Sequence, residues 1–597
     1  MSNNSIKALF FEGEFNKALN LIDQLPVKDK LKGSVYKSGI LLAKGQYQEY
    51  FNLIDEIIEK GNEQGDRFAI LGAHFFKYLA YDFLVISRWL GIDIFASSGF
   101  LEEISNLIQS FEHFSDEQTQ EWVSLLYCHQ SWMELLYSDF NHSLKSVNKA
   151  LTIGKRIKSA IARCIALIQL GEHYFRTGDL SSGFEYTQQA LTLASKENLR
   201  LLTCALYRKL GKESIRRRDL VKASEYLSEG MTLSNEIAYE NMVESITKSF
   251  IFLHLIKGDY DSALEFLRKN YQIIREKHWD WELRIIYNLF GEIYRLKGDL
   301  KNSLDNYQKS LVIATKLEDA YGQASAYRHI GKVYYDQGAF QEALEMFQKA
   351  LQSFSQLKGP KQWGFLNQAS CVYGLILVNV ELNDLEQAKM YLNKLEEINK
   401  LPISKFSIRP NINLIYQFSK ALMLKASKRM RDKVKALEIF EAMSKKESID
   451  LDDLGFALFN ICDLLLYEYR TSGETEIFQE IKEITERLYN LGKEKVIPPL
   501  TIRSMIIQSK LSLIEGQLED VEKILEKAKE IAIEFNLEYL LNLVEKEQNN
   551  VKSELEKWKS LLKRNAPVNE RLEKADLENY VKSALRVVST FHEDIQG

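Results

Sequence analysis

The sequence predicts an all-α protein, a right-handed α-solenoid of antiparallel helix pairs. Three observations predict it. Short turn signals recur at a fixed interval: Ser138-Asp139-Phe140, Gly178-Asp179-Leu180, Arg218-Asp219-Leu220, Gly258-Asp259-Tyr260, Gly298-Asp299-Leu300 and Gly338-Ala339-Phe340 stand 40 residues apart, and Asn383-Asp384-Leu385 follows after 45. Small residues keep register with those turns. Seven residues before the turn stand Gly171, Gly211, Gly291 and Gly331; five after it stand Ser143, Gly183, Ala223, Ala263, Ser303 and Ala343. Twelve after it stand Ala150, Ala190, Gly230, Ser310 and Ala350, with Asn270 as the exception. Third, only 7 of 597 residues are proline, and none falls between Pro26 and Pro360. An interior proline costs a helix about 3 kcal/mol, so a long proline-free stretch suits helices. A fixed period of this length marks a repeat architecture, in which one helix pair cannot bury its apolar face alone.

The elements follow in chain order. Residues 1–123 predict degenerate helical repeats. Phe11-Glu12-Gly13-Glu14-Phe15 and Ala43-Lys44-Gly45-Gln46-Tyr47 are turns 32 residues apart, and Glu12 and Glu14 interrupt any signal-peptide core, which favours a cytoplasmic chain. The apolar stretch from Phe68 to Ala96 carries Lys77, Asp82, Arg88 and Asp93, too many charges for a membrane span, and is expected to be a buried, aromatic-rich helix pair. Residues 124–400 predict the regular array. Each 40-residue unit, less two short loops, leaves two helices of about 17 residues. Residues 401–597 lose the period: Pro402, Pro410 and Pro498-Pro499 punctuate amphipathic helices, and Glu515-Gly516-Gln517-Leu518 is one clear late turn. The charged segment from Leu537 to Leu562 is expected to be a long capping helix, with a coiled-coil partner helix as the alternative.

Composition narrows the function classes. With 78 Lys+Arg against 83 Asp+Glu the net charge is −5, which gives no overall attraction to nucleic acid. Five scattered cysteines without a CxxC pair argue for buried helix residues and against a metal site or disulfide framework. Gly178 to Gly183 has the glycine spacing of a phosphate loop, but Phe184-Glu185 replaces the Lys-Ser/Thr that phosphate and magnesium require. The nine histidines do not pair at ligand spacing. The expectation is a non-catalytic protein without metal or cofactor.

The columns around Tyr287 to Tyr294 with Tyr307 and Ser310, and around His329 to Tyr334 with Ala343, Phe347 and Ala350, resemble the tetratricopeptide repeat. Its usual unit has 34 residues. The longer period here is similar to that of Pins/LGN-type spindle adaptors, kinesin light chain and MalT-like repeat regions. The resemblance implies that two first-helix columns face a concave groove. One reads Cys128, Ile168, Arg208, Lys248, Asn288 and Arg328; the other reads Trp132, Glu172, Lys212, Phe252, Glu292 and Lys332. Arg208, Lys212, Lys248, Asn288, Arg328 and Lys332 would then form a cationic and amide ladder suited to an acidic extended peptide. The function expected is a protein-binding adaptor with a peptide partner, acidic in the sharpest version. The alternative is a ligand- or peptide-sensing regulator acting on an effector in another chain. Recognition of RNA by helical repeats is the weakest reading, given the net negative charge.

Overall fold

The computed structural model describes residues 3–82, 99–136, 139–276, 280–357, 361–401, 409–446, 451–494 and 497–589. Among them lie thirty helices and no strand, arranged in consecutive antiparallel pairs. The chain is an α-solenoid. In the regular array the helices Leu180–Lys196, Arg200–Arg216, Leu220–Glu236, Glu240–Ile256, Tyr260–Glu276, Asp280–Leu296 and Leu300–Lys316 are each 17 residues long.

The repeated turn signal has a local cause. Its first residue takes the left-handed conformation, with φ of 89° at Gly178 and 82° at Gly298, which reverses the chain in one step. The aspartate that follows caps the second helix: Asp179 accepts a hydrogen bond from the Ser182 amide (3.1 Å), and Asp299 from the Asn302 amide (3.1 Å). Asp139, Asp219 and Asp384 cap their helices in the same way. Of the first signal, Ser138 lies outside the described residues.

The small columns lie where helices cross. A Cβ added at Gly291 would fall 2.8 Å from the Tyr307 ring, and one at Gly211 would fall 2.7 Å from Leu227. Close approach lets the large residue of one helix fill the space beside the small residue of its pair. First helices of successive pairs also touch one another, as Glu117–Leu136 touches Ala160–Thr177 and Arg200–Arg216 touches Glu240–Ile256. Second helices make no comparable contact among the described residues. The array therefore curves toward its first helices, which form the inner wall.

Arg67–Asp82 packs into an aromatic core, with Phe76 5.6 Å from Phe10 and Phe75 5.5 Å from Trp122. The rest of the stretch examined for a membrane span, residues 83–96, lies outside the described residues, and among those no helix is long and apolar enough to cross a membrane. Pro402 is likewise outside them. The pairing continues through the C-terminal third: Leu451–Ser472 pairs with Thr475–Glu494, and Pro498–Glu515 with Leu518–Glu534. The single helix expected over 537–562 is instead two, Glu538–Ser553 and Leu555–Lys563, broken at Glu554. Two further helices, Val568–Ala575 and Leu577–Ser589, fold back over the last repeats.

The superhelix also meets itself. Gly13 abuts Ile237, Gly258 abuts Pro498, and Gly298 abuts Tyr539. The Asn536 amide donates to Asp261 at 2.8 Å. In each case a turn within a helix pair meets a stretch that joins two pairs, between 224 and 275 residues further along.

Candidate functional site

Six inner-wall helices carry the two expected columns: Glu117–Leu136, Ala160–Thr177, Arg200–Arg216, Glu240–Ile256, Asp280–Leu296 and Ala320–Gln337. Their side chains meet different fates, decided by the carboxylates of neighbouring repeats.

Lys248 is clamped. Its ammonium pairs with Glu244 one turn earlier and with Glu282 from the next repeat, each at 2.5 Å. Burial opposes its charge, but the two carboxylates outweigh that cost and hold its pKa above the ordinary lysine value. Burial pushes the Glu282 carboxyl up to about 7, against the pull of Lys248 and with the repulsion of Glu244. Tyr47, from the N-terminal helices, stands in the field of the same two carboxylates, and burial together with their charge raises its pKa.

Glu172 faces a different pair. Burial would raise its pKa, yet Lys209 from the next repeat (2.6 Å) and Arg176 (2.7 Å) hold it well below the carboxylate range. Further along, Arg295 is buried between Glu292 (2.6 Å) and Asp336 (3.0 Å), and the Tyr307 hydroxyl donates to Glu292 at 2.7 Å. Arg328 and Lys332 are buried in the packed wall. Asn288 is half-buried, and its Oδ1 has no hydrogen-bond partner.

Arg208 and Lys212 stand apart. They occupy consecutive turns of Arg200–Arg216, and neither takes part in a hydrogen bond or an ion pair. Desolvation lowers the pKa of both, and the charge of Arg208 depresses Lys212 further. Lys212 keeps solvent-accessible surface even so. On the facing turn, where Lys209 reaches the Ile168 carbonyl and Glu172, the buried Gln169 Nε2 is also without an acceptor. Glu172 and Glu244 act on Arg208, and Glu172 and Glu213 on Lys212, through space and without a direct ion pair.

The six residues of the expected ladder thus share a wall without forming one row of free cations. The partners that neutralise Lys248 and Glu172 lie 34 and 37 residues away, close to one repeat period. Charges of opposite sign at that spacing were the signal that could have separated the clamped positions from the open ones. All five cysteines are free and buried, and burial pushes the Cys164 thiol up to about 12.

The fold and the inner wall define a repeat solenoid built to present a groove. Residues 282–356 match the tetratricopeptide repeat family. The same small-residue columns extend on both sides of the matched stretch, and the chain resembles tetratricopeptide-repeat proteins there. A search of curated proteins gives no match. Among solved structures, the chain is similar to a signal transduction ATPase with numerous domains that has a tetratricopeptide repeat sensor, from Pyrococcus horikoshii. Identity is 14% and the TM-score 0.37, over 66% of this chain and 56% of that one, just over half its length. It is also similar to aspartyl phosphate phosphatase F from Bacillus subtilis (12% identity, TM-score 0.40, 64% and 97% of the two chains). The apo form of the quorum sensor NprR from B. thuringiensis is another (15%, 0.38, 67% and 97%).

Proposed function

We propose that the chain is a non-catalytic interaction protein that holds a peptide or protein segment along its inner wall. Arg208 with Lys212 forms the proposed anchor and Asn288 lies further along the same wall, whereas Lys248 is clamped and Arg328 and Lys332 are buried. The observation that carries this reading is that the Arg208 and Lys212 side chains, on consecutive turns of one inner-wall helix, make no hydrogen bond or ion pair. A carboxylate reaching them would gain charge-assisted hydrogen bonds. The partner is therefore acidic at one point. The Lys248 triad serves to hold two repeats together.

The test compares wild type with Arg208→Glu plus Lys212→Glu for binding to arrayed acidic, neutral and basic peptides. Acidic peptides are expected to lose at least tenfold in affinity. Equal binding by both proteins would remove the anchor. A sensing role, in which a bound peptide alters the superhelix and thereby an effector in another chain, is the second reading. The contacts between successive coils favour it, because a change in pitch must break them.

A further inference from the structure

The inner wall changes character along the chain. Between residues 160 and 296 it carries the half-buried polar columns described above. In Leu451–Ser472 and Pro498–Glu515 the inner side is buried as well, because the last two described helices lie across it. Val568–Ala575 packs on Pro498–Glu515, and Leu577–Ser589 packs on both first helices. The paired second helices, Thr475–Glu494 and Leu518–Glu534, make no comparable contact with them.

Leu577, Tyr580, Val581, Ala584 and Leu585 form one apolar stripe at helical spacing, all buried, while Asn579, Lys582 and Ser583 face outward. At the contact, the Tyr580 hydroxyl donates to the Arg503 carbonyl (3.3 Å), and the Lys510 ammonium donates to the Ala575 carbonyl (2.8 Å) while pairing with Glu547 (2.8 Å). This is the geometry of an amphipathic helix laid into a groove. The same helix touches Ala320–Gln337 of the preceding coil, and Arg586 reaches Glu381 at 3.5 Å and lies over the Phe340 ring.

Two features fit a helix that can be released. It has 13 residues, a length at which an isolated helix is marginal, so it is helical through docking. Its ion pairs, Glu578 with Arg470 (3.4 Å) and Arg586 with Glu381 (3.5 Å), are long and solvent-exposed, a kind that adds little stability.

We propose that Leu577–Ser589 is a built-in, displaceable ligand of the C-terminal groove, and that the partner of this groove is an amphipathic helix with apolar residues at i, i+3, i+4, i+7 and i+8. Such a helix competes with the chain's own last helix for Leu451–Ser472 and Pro498–Glu515. Displacement also removes the Arg586 tie to the preceding coil, so partner binding loosens the superhelix. This site is separate from Arg208 and Lys212 and stands whether or not they bind a peptide.

The experiment uses a fluorescent synthetic peptide of residues 566–589 with the full-length protein. Leu577→Glu plus Val581→Glu places two carboxylates in the buried stripe and releases the helix. The variant is expected to bind the peptide at least tenfold more tightly than wild type, and a peptide carrying the same two substitutions is expected not to bind. Hydrogen exchange on the wild type gives a second reading that needs no variant. Amides of 577–589 are expected to exchange faster than, and independently of, those of 498–515. Joint opening of the two segments, or loss of helical signal across the whole variant, would make the helix an integral cap and overturn the proposal. A folded variant with a released helix and no peptide binding would overturn it too.

Discussion

Glu282 is the inner-wall residue whose ionisation lies nearest neutrality. Its folded pKa of about 7 stands above the ordinary 4.5, so the fold favours the protonated form. Its contribution to stability is full below about pH 4.5 and is lost as the pH rises through about 7. Glu282→Gln is therefore expected to flatten the pH dependence of the urea midpoint across that window, and an unaltered slope would place the titration elsewhere. Glu172 works in the opposite sense, because Lys209 and Arg176 hold its pKa down and its contribution is lost as the pH falls. Glu172→Ala leaves two half-buried cations facing each other without a carboxylate. A loss of about 2 kcal/mol in chemical denaturation is expected. Lys349→Ala, which breaks the exposed pair with Glu345, should leave the denaturant midpoint unchanged.

At the scale of the helix pair, the turn carries both the register and a local cost. Most array turns begin with glycine in the left-handed conformation, but Arg218 takes φ of 58° there, and Ala238 takes 52° in a loop between pairs. A side chain in that conformation costs roughly 1–2 kcal/mol. Arg218→Gly and Ala238→Gly are each expected to raise stability by about 1 kcal/mol, read from thermal and denaturant midpoints; a loss in both would show that the side chains hold the turn through other contacts. The repeat was legible in the sequence for the same physical reason that it folds. Gly291 beside Tyr307 and Gly211 beside Leu227 must be small wherever helices cross, so the spacing leaves a column that can be read. The C-terminal pairs were less legible because helices of 22 and 20 residues, Leu451–Ser472 and Thr475–Glu494, shift the period. The inner-wall columns were legible as positions on a helix. Their charge state was not, since Glu282 and Lys209 act on a residue of another repeat. The helix Leu577–Ser589 could not be placed from its pattern, because an apolar stripe does not say which of many surfaces it covers.

Over the whole molecule, repeat stacking fixes contacts between neighbours only, and such arrays are close to one-dimensional in their energetics. Contacts between successive coils add a long-range term, and in this chain they lie on one seam. A Cβ at Gly258 would fall 2.8 Å from Pro498, a Cβ at Gly13 would fall 2.6 Å from Ile237, and Asn536 binds Asp261. The glycines matter here because a larger residue would wedge the coils apart. Asn536→Asp converts the 2.8 Å hydrogen bond to Asp261 into a repulsion, and Asn536 already takes a left-handed φ of 52° that aspartate tolerates. Combined with Tyr539→Ala, which empties the space beside Gly298, it is expected to raise the radius of gyration measured by small-angle scattering at low salt. Because the repulsion is between exposed carboxylates, about 1 M salt should reverse much of the change, its screening length being about 3 Å. An increase that salt does not reverse would assign the closure to Tyr539 packing. A scattering curve identical to wild type at every salt concentration would show that the coils are held by the curvature of the stacked pairs alone, and the seam would then be a consequence of the pitch and not one of its causes.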